Sequence, residues 1–219
     1  MTEKSLTRIY PEDLNFKKRL FQLWSLYCVF IPILSIFYKF KIEGRENVPK
    51  NKKIICAGNH ISFFDPHLMA WATGLKYAYM AKKPLFENPV MRFVLPRLGA
   101  FLVNQDKPDV STIKSVRDIL RTKDWNLGIF PQGGIDRNKK IEHVNRGFIV
   151  LAKMFKTNIL PIGITGTEKN NFNPFKRQIA KVKIGKMISY ELPEEEIMKN
   201  WLNQIENLTG YEITEAQKV

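Results

Sequence analysis

Cysteine and histidine are scarce in this chain, and their scarcity excludes two kinds of protein. Of 219 residues only 2 are cysteines and 3 are histidines. They do not occur at the spacing of a metal site, so we expect no bound metal. A disulfide framework is not expected either. Cys28 and Cys56 stand in apolar runs, so we expect both to be small buried residues of a protein in a reducing compartment.

Acidic residues are also in short supply relative to basic ones. Lys and Arg number 35 against 21 Asp and Glu, which gives a formal net charge of +14. This excess favours an anionic partner, namely nucleic acid, acidic lipid headgroups or a phosphorylated substrate. A recognition helix, a zinc finger and an aromatic RNA-binding motif are all missing, so we expect no nucleic acid partner. The glycine-rich run 131–134 lacks the P-loop Lys-Ser/Thr and the dinucleotide glycine spacing, which excludes the common nucleotide sites.

An uncharged apolar stretch covers residues 20–38 and has basic residues on both sides. It approaches the ~20 residues that a membrane-spanning helix needs, but Pro32 divides it. Three interpretations stay open: a helical hairpin docked on the protein, shallow insertion into one leaflet, and a true span. Interfacial aromatic residues favour shallow insertion. No small-residue cleavage site follows, so a removable signal peptide is not expected. We predict that residues 1–38 are a membrane-associating helical segment.

Short apolar runs alternate with amphipathic helical patterns through the rest of the chain. The strands are predicted at 39–43, 54–57, 77–81, 100–103, 127–130, 159–164 and 182–188. The helices are predicted from the proline after Asp65 to about Gly74, and at 88–98, 110–120, 146–155 and 193–208. This order predicts one α/β domain over residues 39–219, a sandwich of helices around a mixed, largely parallel sheet.

Residues 54–66 carry the clearest functional signal. Asp65 follows His60 by five positions, and on one continuous helix that spacing separates them by roughly 140°. A strand, a turn and a new helix that Asp65 caps would instead let the side chains meet. His60 would then be a general base, with Asp65 accepting a ring N–H and fixing the tautomer. The alternative is that Asp65 only caps its helix and His60 is a surface loop residue.

Three loops that follow predicted strands, at 58–65, 104–109 and 131–140, would open on one side of a parallel sheet. In α/β proteins ligands bind at the carboxyl ends of the strands. We therefore expect the functional site to form where these loops meet.

Asn59-His60, followed by Asp65, resembles the first motif of the glycerolipid acyltransferases, the lysophosphatidic acid acyltransferase family. Further matches fall in the expected order over roughly residues 38–190. They are Gly44 to Pro49 before the first motif, Ala81 to Phe86 after the next strand, Gly99 to Val103 as the second motif, Phe130 to Gly133 as the third and Leu160 to Ile162 as the fourth.

The resemblance implies an O-acyltransferase of phospholipid synthesis. A fatty acyl group would pass from acyl-CoA or acyl carrier protein to a lysolipid hydroxyl, first of all that of 1-acyl-glycerol-3-phosphate, to give phosphatidic acid. His60 would be the base and Asp65 its orienting carboxylate, and the backbone amides of Gly133 and Gly134 would stabilise the oxyanion. No cofactor is implied beyond the acyl donor. The protein would lie on the cytoplasmic face of a membrane, as a peripheral or monotopic protein rather than a single-pass one.

Two motifs depart from the family pattern on the side of the acceptor phosphate. The second usually carries an arginine where this chain has Gln105, after Asn104. The third usually reads Phe-Pro-Glu-Gly-Thr-Arg, and here Gln132, Gly134 and Ile135 replace its Glu, Thr and Arg. A neutral side chain cannot make the charge-assisted contact of arginine with phosphate. The expected substrate-binding residues are Asn104, Gln105, Gln132, Gly133, Gly134 and Arg137.

The missing positive charge leaves alternatives open. Nearby cations either replace it or form a solvated basic face; they are Arg137, Lys139, Lys140 and Arg146. The acceptor is then either the phosphate-bearing lysolipid or another lysolipid or non-glycerol lipid. A relative that binds lipid without acylating it is the remaining alternative.

Overall fold

The computed structural model describes residues 6–50, 53–103, 110–169 and 172–214. Its strands are β1 Tyr38–Glu43, β2 Ile54–Gly58, β3 Lys76–Lys82, β4 Ala100–Val103, β5 Trp125–Ile129, β6 Lys140–Ile141, β7 Asn158–Thr165, β8 Gln178–Ile184 and β9 Glu212–Ile213. Its helices are α1 Phe16–Phe37, α2 Asp65–Thr73, α3 Pro89–Arg97, α4 Val110–Arg121, α5 Gly147–Met154 and α6 Glu194–Thr209. Three short 3-10 turns lie at Pro11–Asp13, Arg45–Asn47 and Lys83–Phe86.

A seven-stranded sheet in the order β1-β8-β7-β2-β5-β3-β4 carries the site. The five strands from β7 to β4 are parallel, β8 is antiparallel to β7, and β1 is parallel to β8. The predicted mixed, largely parallel α/β sheet is therefore confirmed. The carboxyl ends of β2, β5 and β3 meet at one edge of the sheet. Because β1 and β8 run the opposite way, their amino ends lie at that same edge, called below the catalytic edge.

The strands in the middle of the sheet have apolar side chains on both faces, which places them in the core of the domain. Every residue of β2 is buried, as parallel strands covered by helices on both sides require. On one face Trp201 of α6 packs against Phe148 of α5, and its indole N–H donates to the carbonyl of Ala57 at 3.1 Å. This packing holds β2 in place just before the chain leaves the sheet at the catalytic edge.

The apolar N-terminal stretch is one continuous helix, α1, and the predicted division at Pro32 is wrong. Ser25–Phe30 is π-helical, with the N–H of Ile31 donating to the carbonyl of Leu26. A proline ring inside a regular α-helix clashes with the carbonyl four residues earlier, and proline also has no N–H to donate. The wider π turn just before Pro32 absorbs this conflict, so the helix continues.

One face of α1 is attached to the domain along its length. The side-chain amide of Gln22 donates to the carbonyls of Tyr77 (2.8 Å) and Leu98 (2.6 Å), and Leu26 and Leu34 are buried. The other face exposes a row of large apolar side chains. They are Phe16, Leu20, Trp24, Tyr27, Ile33 and Ile36. By length and composition α1 could cross a membrane.

Several local predictions need correction. Cys56 is buried as expected, but Cys28 is exposed on α1, so its predicted burial is wrong. Strand β8 lies at Gln178–Ile184 rather than 182–188, because Gly185 ends it. Beyond that turn Ile188 still bridges Ile159, which explains why its apolar pattern resembled a strand.

The chain before α1 also docks on the domain. The guanidinium of Arg8 pairs with Asp118 of α4, and the backbone N–H of Ile9 donates to the hydroxyl of Ser115 at 3.1 Å. The described part of the predicted segment 1–38 therefore contacts the domain from Arg8 to the end of α1.

Gly44 follows β1 in the chain and packs against the end of β8. It offers a test of the fold. It has a left-handed φ of +80°, and a Cβ there would lie 2.2 Å from the carbonyl oxygen of Ile184. We expect Gly44→Ala to lower the free energy of unfolding by about 3 kcal/mol, from backbone strain plus displacement of β8. Urea denaturation measures this loss.

Gly74 provides the matched control. Its φ is +70°, but a Cβ there meets nothing within 4 Å. Gly74→Ala should therefore cost only about 1 kcal/mol, the strain alone. Equal losses at the two positions would contradict the close approach of Gly44 to β8.

Candidate active site

A buried carboxylate organises the turn between β2 and α2. Asp65 is 0% exposed. Its Oδ2 accepts from the backbone N–H groups of Ile61 (2.6 Å) and Ser62 (2.8 Å) and lies 2.8 Å from Nδ1 of His60. Its Oδ1 accepts from the Ser62 hydroxyl at 2.9 Å. The carboxylate thus satisfies its charge entirely with donors from the turn that it closes.

The structure shows which parts of the two interpretations of His60 and Asp65 are present, namely the helix cap and the contact between the side chains. The predicted helix cap is wrong: Asp65 is the first residue of α2, and Phe64 precedes it as N-cap without a side-chain hydrogen bond. The carboxylate folds back onto the preceding turn and not onto its helix. The predicted contact of His60 with Asp65 is present. Since a carboxylate can only accept, this contact favours the tautomer with the hydrogen on Nδ1.

Asn59 fixes the point at which the chain leaves the sheet. Its side chain is completely buried and makes two hydrogen bonds to the backbone of Ile164, from Nδ2 to the carbonyl (2.9 Å) and from the N–H to Oδ1 (2.7 Å). The amide thus extends the pairing of β2 with β7 by one rung after β2 has ended. The following residue, His60, therefore leaves the sheet at a defined place.

The loop after β5 holds the backbone of His60 from the other side. The N–H of His60 donates to Oε1 of Gln132 at 2.8 Å, and its carbonyl accepts from the N–H of Asp136 at 2.8 Å. Gln132, expected to contact substrate, thus braces the histidine through its amide oxygen. A glutamine supplies the same acceptor as the glutamate that the family motif usually has at this position.

Aromatic rings support the imidazole. Phe130 stacks on His60 with centroids 4.3 Å apart, and Tyr79 lies behind Phe130 at 6.4 Å. The Tyr79 ring crosses β5 at Gly128, where any Cβ would lie 2.3 Å from it. His60 is therefore held by a carboxylate at one nitrogen and a ring on its face, which limits its rotation.

A cavity of about 670 Å³ opens beside His60. Gly133, Gly134 and Lys82 line it near the histidine, and its walls are mainly apolar side chains of α2, β3, α3, α4 and α5. Arg19 and Lys82 are the Lys and Arg residues that line it among those described in the structure. Lys82 lies next to the glycine turn, since a Cβ on Gly134 would be 3.2 Å from its Nζ.

Lys82 received no predicted role. One signal was available, because Lys82 is the last residue of β3 and side chains at the carboxyl ends of strands line sites in such sheets. Its neighbourhood with Gly134 depends on β3 pairing with β5, which no local pattern reveals.

The acyltransferase family matches residues 39–165 of this chain. The chain belongs to the glycerolipid acyltransferase family. This confirms the resemblance that the ordered motifs indicated.

Curated relatives bear the name 1-acyl-sn-glycerol-3-phosphate acyltransferase. The protein of Borreliella burgdorferi is 30% identical over 66% of this chain and 58% of its own length. That of Streptococcus pneumoniae is 31% identical over 68% of this chain and 55% of its own. For Bacillus subtilis the identity is 30% over 70% of this chain and 75% of the relative. The chain therefore matches between about half and three quarters of the length of these relatives.

A solved structure shares the fold. The 1-acyl-sn-glycerophosphate acyltransferase PlsC from Thermotoga maritima aligns with a TM-score of 0.63, at 16% identity, over 87% of this chain and 78% of that one. At this identity the likeness speaks for the fold alone.

Apart from Gln132, the predicted substrate-binding residues fall into three groups. Asn104 and Gln105 lie outside the described residues, as does the loop 104–109. Gly133 and Gly134 line the cavity, but the N–H of Gly133 donates to the carbonyl of Phe130 at 2.9 Å. This N–H is therefore engaged within the turn. Arg137 is exposed outside the turn, with its Nε 3.4 Å from the carbonyl of Ile61.

Two of the basic residues considered as substitutes for the missing arginine form ion pairs on the surface instead. Arg146 makes a two-pronged contact with Glu195 in the first turn of α6, and Lys140 lies 3.9 Å from Glu212. The loops 58–65 and 131–140 do meet at the catalytic edge, as expected.

Folding lowers the pKa of His67, which lies in the cavity wall. Its ring stacks on Phe30 of α1 at 3.4 Å, and its Nδ1 is buried without a hydrogen-bond partner within the described part of the chain. Burial lowers the pKa of His67 to about 4, because the site disfavours the imidazolium.

The stability of the protein should therefore depend on His67 below neutrality. Between pH 6.5 and 4 the unfolded chain binds a proton that the folded chain excludes, so stability is complete above pH 6.5 and falls as the pH decreases. We expect this histidine to account for up to about 3 kcal/mol of that loss. His67→Phe keeps the stacked ring and should flatten this part of the curve of unfolding free energy against pH.

His143→Gln is the control, because His143 is exposed in the folded protein and its surroundings change little on unfolding. It should leave the curve unchanged. An unchanged curve for His67→Phe would show that the buried imidazole does not resist protonation.

Proposed function

We propose that this protein is an O-acyltransferase that moves a fatty acyl group from a thioester donor to the hydroxyl of a lysolipid, and that 1-acyl-glycerol-3-phosphate is its first acceptor, giving phosphatidic acid. The observation that carries the proposal is the contact of His60 with Asp65 (2.8 Å) beside a large apolar cavity. The names of the curated relatives support the acceptor.

In the proposed reaction His60 removes the proton from the acceptor hydroxyl through Nε2. The resulting alkoxide oxygen attacks the thioester carbonyl, and the negative charge moves to the carbonyl oxygen, near the N–H of Gly134. When this tetrahedral intermediate collapses, the carbon–sulfur bond breaks and the thiolate of CoA or acyl carrier protein leaves with the proton from His60. Asp65 stabilises the imidazolium between these two steps. This proposed reaction uses no cofactor.

The cavity supplies the environment that this reaction needs. Its apolar walls suit the fatty acyl chain of the donor and exclude water that would otherwise hydrolyse the thioester. His67 on that wall is neutral at physiological pH, since burial lowers its pKa to about 4. His67 therefore adds no charge to the wall.

Lys82 is the cation that we assign to the acceptor phosphate. It lines the cavity together with His60 and lies beside Gly134, so one ammonium group would be within reach of a phosphate whose glycerol hydroxyl lies at His60. A single lysine binds phosphate as a point charge and without the two-pronged geometry of arginine. This weaker selection keeps other lysolipid acceptors as the second candidate.

The exposed face of α1 supports attachment to one leaflet of a membrane. A span would require α1 to leave the domain, yet Gln22, Leu26 and Leu34 attach it along its length. An interfacial helix keeps these contacts and buries its apolar face in the lipid. Both donor thioesters are cytoplasmic molecules, so we assign the protein to the cytoplasmic face.

Substitution of His60 tests the proposed chemistry. We expect His60→Gln to lower kcat by about 1000-fold or more, because the acceptor hydroxyl loses its base. Asp65→Asn should lower kcat by at least about 100-fold, since the neutral amide no longer stabilises the imidazolium. The assay incubates the purified protein with radiolabelled acyl-CoA or acyl carrier protein and a panel of lysolipids.

His143→Gln should retain full activity in the same assay, since His143 is exposed and away from the cavity. Failure of the wild-type protein to acylate any lysolipid from either donor would refute the enzymatic proposal. It would favour a lipid-binding relative without turnover.

Removal of the charge of Lys82 tests the acceptor. Lys82→Met should raise KM for lysophosphatidic acid by about 10-fold or more with a smaller change in kcat, because it removes a charge-assisted contact with the phosphate. KM for a monoacylglycerol, which has no phosphate, should not change. Lys83→Met, at the exposed neighbouring position, is the control. Equal effects on both acceptors would show that Lys82 does not bind phosphate.

A further inference from the structure

An aromatic turn at Phe172–Arg177 presents one phenyl ring to solvent. The side chain of Phe175 is 95% exposed, the most of any large hydrophobic side chain in the described part of the protein. Its neighbour in the turn, Phe172, is 51% exposed. Isolated exposed apolar residues are ordinary, but several together on a defined turn indicate a binding surface.

Hydrogen bonds shape this turn and hold its tip outward. The N–H of Phe175 donates to Oδ1 of Asn173 at 2.9 Å, and the N–H of Lys176 donates to the carbonyl of Asn173 at 3.3 Å. Asparagine commonly closes turns in this way. At the base of the turn, Nη2 of Arg177 donates to the carbonyl of Tyr38 at 2.9 Å.

The aromatic turn contacts the end of α1 and the turn between β2 and α2 that contains His60, called below the catalytic turn. Phe172 makes edge-to-face contacts with Phe37 at the end of α1 (5.3 Å) and with Phe64 before Asp65 (6.3 Å). Ile33 and Ile36, in the last turn of α1, are both exposed. The apolar face of α1 therefore continues through Phe37 and Phe172 to the tip of the aromatic turn.

Strand direction places the aromatic turn at the catalytic edge of the sheet. The turn leads into β8, which is antiparallel to β7, so it lies beyond the carboxyl end of β7 and on the same edge as His60. Phe63, in the catalytic turn, is 61% exposed. An apolar surface thus extends along this edge towards the cavity.

The chemistry of the aromatic turn matches a bilayer surface that contains anionic lipid. Lys176 and Arg177 follow the phenyl ring directly and are exposed. An aromatic ring in the acyl region with cations at headgroup level is the usual composition of an interfacial anchor. A protein partner or a second copy of this chain would explain the ring but not the two adjoining cations, nor the continuity with α1.

We propose that the aromatic turn inserts Phe175 into the leaflet that holds α1, as a second membrane contact of the protein. With α1 and Phe175 both in the lipid, the catalytic edge faces the membrane surface, and a lysolipid reaches His60 without crossing water. The proposal rests on the proposed membrane attachment of α1, and its tests measure vesicle binding separately from catalysis.

A fluorescent label at the tip measures insertion directly. Phe175→Cys is made in the full chain with Cys28→Ser, since Cys28 is exposed whereas Cys56 is buried and would not react. The label is an environment-sensitive fluorophore, and the vesicles contain phosphatidylcholine and phosphatidylglycerol. We expect a blue shift on addition of vesicles, and a smaller one when phosphatidylglycerol is left out.

Met187→Cys in the same background is the matched control. It follows β8 at the opposite edge of the sheet and is 37% exposed, so its label should not shift. No shift at position 175, or equal shifts at both positions, would overturn the proposal. A shift that depends on protein concentration without vesicles would also overturn it, in favour of a second copy of the chain.

Substitution of the ring provides an independent measurement. Phe175→Ser should lower the fraction bound in vesicle flotation by about tenfold, while Met187→Ser leaves it unchanged. Acylation of a short-chain, water-soluble lysophosphatidate should be normal in both variants. If that acylation is absent from the wild-type protein the proposed enzymatic function fails, whereas vesicle binding that is unchanged in Phe175→Ser refutes only the membrane contact.

Discussion

The placement of one buried carboxylate is the constraint on which the site depends. An ionised side chain that is 0% exposed is costly unless donors surround it. Asp65 obtains its donors from the backbone N–H groups of Ile61 and Ser62, the Ser62 hydroxyl and the imidazole of His60. The turn closes around the charge, and the same closure aligns the imidazole. Asp65 therefore stabilises the turn and also orients the His60 imidazole. A short loop between the two residues allows both contacts.

The surroundings of His60 come from three strands that are distant in sequence. Asn59 joins the end of β2 to β7, and the loop after β5 supplies Gln132, Asp136 and the ring of Phe130. The loop that carries the third motif of the family therefore helps to position His60 of the first motif. This explains how Gln132 can stand where glutamate is usual, because an amide oxygen accepts the same backbone hydrogen bond. The loss of negative charge there does not remove the support of the base.

The proposed membrane contacts and the candidate site are connected through the direction of the strands. Because β1 and β8 run against the rest of the sheet, the end of α1 and the aromatic turn both lie at the edge where His60 stands. The π turn before Pro32 keeps α1 whole, so its apolar face is continuous from Phe16 towards that edge. The net charge of +14 suits the proposed contact of this edge with an anionic surface.

Local patterns were sufficient for much of this protein. Periodicity gave most strands and helices to within a few residues, and the order of the motifs identified the family, because both are properties of neighbouring residues. The short strands β6 and β9 were not predicted, because they pair distant parts of the chain. The contact of His60 with Asp65 could be predicted since five positions separate them. The brace from Gln132, the approach of Lys82 to Gly134 and the exposure of Cys28 could not. Each depends on which strand lies beside which, or on which face of a helix meets the domain. Those neighbours are chosen by packing the whole chain around its core, and only the tertiary structure decides them.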